Sequence, residues 1–334
     1  MCLCIVLQLY SSIYFGWFFV FCLIIALLLC FLHPSYRTLL IQYLHERRRI
    51  LLQAGFCSLL LLSPMIYHYF LAEREIGHRS FQEVFFYLPV WSSWLYLGQE
   101  SWLYKWQNAL FRTILAHQEN CLGFGFATTC MVLWVTWRSR KRFLTRIMLA
   151  VALTLIFLTT RLEGGSNLWL WVYTFFPGAN GLRAVSRIGM MFLFPGMIAL
   201  AAFFQKIPHW TQFSLALLLI LEQGQNLTCY NKANHRMIID HVVATIPDTC
   251  RSFYLIAPHS SDTEDHLQQT AMIASLQKGI PTINGYSGQV PRNWHFYAHR
   301  EASDNAWSKH YLLPKDSLCR VRMNLPPIRT AYFY

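Results

Sequence analysis

Two arginines four residues apart, Arg183 and Arg187, precede the apolar run 188–204 and follow the turn dipeptides Pro177-Gly178 and Asn180-Gly181. The turns predict a helix start at about 180–182, and from there the two guanidinium groups share one helical face. A guanidinium is a rigid fork of donors that matches phosphate, and a helix N-terminus adds its own positive end. The same pair at a membrane boundary also suits a headgroup anchor that fixes topology. A general base, or a group holding a metal beside a phosphate, needs a carboxylate. Glu73, Glu75, Glu83, Glu119 and Glu163 lie in segments between apolar runs, and each by itself reads as a solvated loop charge. Glu163 precedes Gly164-Gly165 and shares its segment with the approach to the arginines, so it is the first choice for a catalytic carboxylate.

Other reactive residues carry less pattern. The stretch GYSGQ sets Ser287 in a sequence like a nucleophile elbow, but Gln289 replaces the last glycine and Pro291 disfavours the helix that must follow. A tight turn is the plainer reading. The histidines, His235, His241, His259 and His266 among them, make no ligand spacing, and no metal site is predicted. Cys229, Cys250 and Cys319 occupy a polar tail without zinc-ligand spacing, which leaves a disulfide between two of them open. The other seven cysteines lie in or beside apolar runs and read as small hydrophobes. Asn226-Leu227-Thr228 fits a glycosylation sequon, which matters only in a eukaryotic lumen.

The elements that must position these residues are mostly membrane helices. Of 334 residues, 55% are hydrophobic, 16% aromatic and only 13% charged, too apolar for an ordinary soluble protein. The net charge of +12 sits beside the apolar runs, so it speaks for topology and against a nucleic-acid partner. Six spans are expected, over 3–32, 50–72, 121–137, 143–160, 182–204 and 210–222, the fifth kinked at Pro195. Arg47, Arg48 and Arg49, and then Arg138, Arg140, Lys141 and Arg142, mark two links as cytoplasmic. Segments 73–119 and 161–179 then lie outside, where their tryptophans and tyrosines predict amphipathic helices at the headgroup level. The first run lacks a basic leader and a cleavage site and reads as a membrane helix. An outward N-terminus of this kind suggests a chain whose earlier spans are missing.

From residue 223 the composition turns mixed. A strand at 253–257, a helix at 262–279 stopped by Gly279, a strand and a glycine turn within 279–291 and a helix at 303–313 read as a small α/β domain. The expected fold is thus a mainly α membrane protein of about six transmembrane helices plus interfacial helices, over 1–222, followed by an extracytoplasmic α/β domain over 223–334.

Two stretches carry a resemblance. FFPGANGLRAVSRIGM and GIPTINGYSGQVPRNW are similar to segments of large bacterial membrane proteins of the GT-C glycosyltransferase-like class, and REIGHRSFQEVFFYLPVWSSWL loosely resembles their outer loop. The resemblance implies a multi-span protein of the inner membrane and cell envelope that takes a sugar from a polyprenyl-phosphate carrier at the outer face. It implies that Arg183 and Arg187 contact the lipid phosphate. Asn284, Gly285, Tyr286, Ser287 and Gly288 match the tail motif, without a stated role. The class also places an essential aspartate in a first outer loop that this sequence does not contain, which implies a truncated or inactive form. No cofactor is named. The alternative is a non-catalytic structural or assembly subunit whose aromatic loops and tail bind a partner membrane protein. A transporter is the third reading, weakened because no span is expected to hold a buried acidic residue or a convincing broken-helix pair.

Overall fold

The computed structural model describes residues 2–115, 118–162, 165–226, 228–256, 264–287, 318–322 and 330–332. The described residues are mostly helical (68%), and the chain divides into two compact units. The first comprises Met1–Glu73 and Gly77–Gln225, the second Arg74–Ile76 and Asn226–Tyr334. Three helical stretches, Ile13–Leu32, Arg48–Glu75 and Val185–Phe204, are long and apolar enough to cross a membrane. At 1.5 Å per residue, about 20 residues cover the hydrocarbon thickness.

The apolar run 3–32 is two helices rather than one span, α1 (Cys2–Ser11) and α2 (Ile13–Leu32). Ser12 between them is extended, with φ −158° and ψ 110°. Gly16 permits the junction: a Cβ there would lie 2.6 Å from Leu9 Cδ2, so α1 packs directly on the start of α2. The basic link that follows is itself helical. Pro34, whose missing N–H is harmless in a first turn, opens α3 (Pro34–Glu46), and Arg47 separates it from α4 (Arg48–Ile76). No residue in the apolar window of α4 is buried, and Leu52, Phe56 and Leu59 are each more than half exposed. Such a face suits lipid, where the helix satisfies its own backbone.

Segment 73–119 does not form long amphipathic helices. Beyond the end of α4, its described residues hold α5 (Phe81–Phe86), a 3-10 turn at Trp91–Trp94 and α6 (Gln107–Leu110). Its apolar side chains turn inward instead, burying Val84, Leu88, Tyr96 and Ile114. The Trp94 indole donates to Thr160 Oγ1 at 2.8 Å, tying the segment to the end of a later helix. The remaining helices of this unit are α7 (Phe126–Arg138), α8 (Phe143–Thr159), α9 (Trp169–Phe175), α10 (Leu193–Phe204) and α11 (His209–Glu222). At 13, 17 and 14 residues, α7, α8 and α11 are shorter than a full crossing. Phe18, Phe21 and Ile25 of α2 pack with Leu155, Trp169, Leu182, Val185 and Ile188 to form the unit's core.

The second unit contains β1 (Thr228–Tyr230), α12 (Lys232–Thr245), β2 (Ser252–Ile256), α13 (Glu264–Lys278), β3 (Leu318–Arg322) and β4 (Thr330–Tyr332). β2 pairs in parallel with β3, and β1 pairs antiparallel with β4. Where a strand was expected before the glycine turn, the described residues hold only an isolated parallel bridge from Thr282 to Phe253. α13 stops at Gly279, whose φ of +72° suits glycine. α12 was not expected; Asn231 caps it, its side chain accepting from Asn234 N at 3.1 Å. Val242, Ile246, Phe253, Leu255, Ala271 and Ala274 form the core. Cys250 and Cys319 are joined as a disulfide across 69 residues, with Cα atoms 5.8 Å apart. The helix expected at 303–313 lies outside the described residues.

Candidate functional site

Arg183 and Arg187 do not share a helical face. Leu182 is extended, Ala184 is not helical, and the backbone from Val185 to Phe192 winds as a 3-10 helix before α10 begins at Leu193. Leu182, Val185 and Ile188 are all buried, a period of three that fits 3-10 geometry and anchors this segment in the core. The amides of Arg183 and Ala184 donate to the Tyr14 hydroxyl at 2.9 and 3.4 Å, so a side chain of α2 replaces the helical acceptors. Pro195 falls in the first turn of α10, where its ring does no harm; the expected kink is replaced by the 3-10 junction. Before it, the Trp17 indole donates to Pro177 O at 3.0 Å and lies 3.2 Å from where a Cβ on Gly178 would stand, fixing the Pro-Gly turn.

Each arginine meets a carboxylate. The Arg187 guanidinium makes a two-pronged contact with Glu119, Nε to Oε2 at 3.0 Å and Nη2 to Oε1 at 2.6 Å, and its carbon lies 5.1 Å from the centre of the Tyr14 ring. Arg183 is held more loosely: Nη1 is 3.9 Å from Glu83 Oε1, and the guanidinium lies over Tyr87 at 5.1 Å. Glu83 also accepts from Arg79 at 2.7 Å, one turn away in sequence. Half-exposed pairs of this kind stabilise a fold by about 0.2–1 kcal/mol, because water and salt screen them. Of the other carboxylates, Glu73 pairs with His78 at 2.9 Å. Glu163 and Gly288 lie outside the described residues.

The Arg187–Glu119 pair borders a cleft of about 490 Å³. Polar lining comes from Glu119, Ser186, Arg187 and Gln223, and apolar lining from Met190 and Leu193 at the start of α10. Ser186 is fully buried and its hydroxyl has no hydrogen-bond partner among the described residues. The irregular segment 121–124 forms a further wall. Leu122 N donates to Ser93 O and Gly123 N to Tyr96 O, at 3.1 and 2.9 Å. A Cβ on Gly123 would stand 2.7 Å from the Leu95 carbonyl, so only glycine lets this wall lie so close. Gln223 Nε2 donates to Phe124 O at 2.7 Å and closes the corner.

A carboxylate that sequence reasoning treated only as the end of a span holds this wall in place. Glu222, 2% exposed, accepts from Ala127 N, Thr128 N and Thr128 Oγ1 at 2.8, 2.9 and 2.7 Å, and from the Tyr104 hydroxyl. Tyr104 in turn accepts from Phe126 N at 2.9 Å. The first three N–H groups of α7 are thereby satisfied by side chains from distant segments, with a negative charge at the positive helix end. Gly125, with φ +93°, is required there: a Cβ would fall 2.2 Å from Glu222 Cδ. The available signal was a single acidic residue closing an otherwise apolar helix.

In the second unit the tail motif is structural at its start. Asn284 is buried and uses its side-chain amide as a strand would, accepting from Leu255 N at 2.8 Å and donating to Leu255 O at 3.1 Å. Gln268 Oε1 accepts from both Asn284 Nδ2 and Gly285 N. Tyr286 and Ser287 are exposed and not helical, which does not match the strand-to-helix elbow a nucleophilic serine needs. No group of three or more metal-ligating side chains occurs among the described residues. No protein-family model, no curated protein and no solved structure matches this chain.

Proposed function

We propose that this chain is a membrane protein that binds a lipid-linked phosphate, a polyprenyl-phosphate-linked sugar on the resemblance above, and that it is glycosyltransferase-like in origin. The observation that carries the reading is the cleft beside Arg187. The Arg187 cation meets Met190 and Leu193 within one groove at the start of an apolar helix long enough to span, which suits an amphipathic ligand with a phosphate head. Arg183 supplies a second cation on the same segment, 3.9 Å from its nearest carboxylate oxygen. Glu119 is the carboxylate of the cleft and takes the general-base role if sugar transfer occurs there.

The proposed orientation sets the second unit outside a bacterial inner membrane and the two basic links inside. The Cys250–Cys319 disulfide supports it, since such bonds persist in oxidising compartments. In that arrangement the shorter apolar helices complete six crossings, aided by local thinning of the bilayer.

The test is binding of farnesyl phosphate to the purified full chain. Arg183→Ala with Arg187→Ala weakens it at least about tenfold, the scale of a lost charge-assisted contact; undiminished binding overturns the reading. A second reading, a non-catalytic assembly subunit, is favoured by the fact that both arginines already meet carboxylates of the same chain. It requires the double variant to lose a partner protein while leaving lipid-phosphate binding untouched.

A further inference from the structure

The Arg187 fork is already filled by a carboxylate, and the filling is incomplete. Glu119 covers the Nε and Nη2 edge of the guanidinium, the edge a phosphate takes with two parallel hydrogen bonds. Ser186, which also lines the cleft, is wholly buried, and its hydroxyl has no partner among the described residues. A carboxylate offers two oxygens in one plane and cannot reach beyond the fork; a tetrahedral phosphate offers more oxygens in other directions. The cation is independently braced, because Tyr14 faces the guanidinium with its ring and holds the preceding backbone amides with its hydroxyl. Glu119 lies in a turn outside any helix or strand, whereas Arg187 belongs to the core-anchored 3-10 segment, so the carboxylate is the partner less constrained by the backbone fold. The pair is open to solvent, with side chains 41% and 24% exposed, so water can stabilise Glu119 as it departs.

We infer that Glu119 is a resident anion in the phosphate subsite of Arg187, displaced when a phosphate-bearing ligand binds. The inference rests on the lipid-phosphate reading and adds its regulation: the empty site is self-occupied, and the ligand exchanges one anion for another. Displacement leaves a free carboxylate beside the bound phosphate, where a proton-accepting group serves transfer chemistry. It also makes the cleft discriminate against carboxylate ligands, which gain nothing over the one already present.

The experiment measures binding of farnesyl phosphate, inorganic phosphate and farnesol to the full chain in detergent, for wild type, Glu119→Gln, Glu119→Asp and Arg187→Ala. The inference expects Glu119→Gln to bind farnesyl phosphate up to about fivefold more tightly than wild type, the scale of a partly exposed ion pair. Glu119→Asp, which keeps the charge but shortens the reach, falls between the two. Arg187→Ala weakens binding in the same assay. If Glu119→Gln unfolds in a melting assay, Glu119→Asp carries the comparison. Should wild type bind through Arg187 while neither Glu119 variant gains affinity, the exchange is overturned and the lipid-phosphate reading stands. Should farnesol bind as well as farnesyl phosphate, or Arg187→Ala bind as well as wild type, both fall together. Inorganic phosphate binding as tightly as farnesyl phosphate keeps the exchange and identifies the ligand as a free phosphate.

Discussion

The two units solve the same problem, burying polar groups, in opposite settings. In the first, apolar side chains face outward along α4 and polar groups collect at helix ends, where Glu222 with Tyr104 closes α7 and Glu119 meets Arg187. In the second, apolar residues point inward around β2, and the polar groups in the interior, Asn284 and Gln268, complete a sheet. The difference lies in where the apolar surface goes. A helix whose apolar face is exposed, as lipid would suit, needs no inward apolar face, so its unit is held by what caps and crosses its ends; a small unit with an inward core and a short sheet relies on a covalent staple and on strand-like side-chain pairing.

Breaking the staple should have the largest effect. Closing about 69 residues contributes on the order of 4 kcal/mol in the chain-entropy account, so Cys250→Ala should expose the second unit to limited proteolysis and leave the first resistant. Equal sensitivity of both units would erase the contrast. Glu222→Ala is the reciprocal test. It removes a charged acceptor from four donors, and a loss of about 2–3 kcal/mol is expected, read as a lowered melting temperature in detergent with the second unit's proteolysis unchanged. An unchanged melting temperature would mean that water caps α7 as well as Glu222 does.

The smallest effect is a pH dependence confined to the second unit. Burial, and then the nearby His266, hold the His235 imidazole below its ordinary value of about 6.5. The unfolded chain therefore takes up the proton first. Stability from this group is complete above about pH 6.5 and declines as the pH falls through that value. Proteolysis of the second unit should quicken between about pH 7 and pH 5 in wild type and less so in His235→Gln.

Much of this was legible in the sequence, for reasons that can be named. Gly279 as a stop, the strand at Phe253 and the apolar runs all follow from local pattern. The arginine pair was legible as chemistry but not as geometry. Buried residues at 182, 185 and 188 suit a 3-10 winding as well as an α-helix over so short a stretch, and the Tyr14 hydroxyl that decides between them lies 169 residues away. Glu83 and Glu119 were visible as carboxylates, yet nothing local says which arginine each one meets. Glu222 was hidden for the same reason: its helix end and the helix it caps are 94 residues apart. α12 was missed although Asn231 offered a capping signal ahead of an apolar periodicity at Ile238, Ile239 and Val242.

The central claim is that the cleft between Glu119 and Arg187 receives a phosphate-headed lipid. A polyprenyl phosphate carrying a photoactivatable group beside its head, crosslinked to the full chain in liposomes and mapped by peptide mass, tests it directly. Label concentrated in 119–125 and 186–193, and displaced by excess unlabelled polyprenyl phosphate, is the predicted result. Label spread along the exposed face of α4, with the cleft segments unmarked, would contradict it.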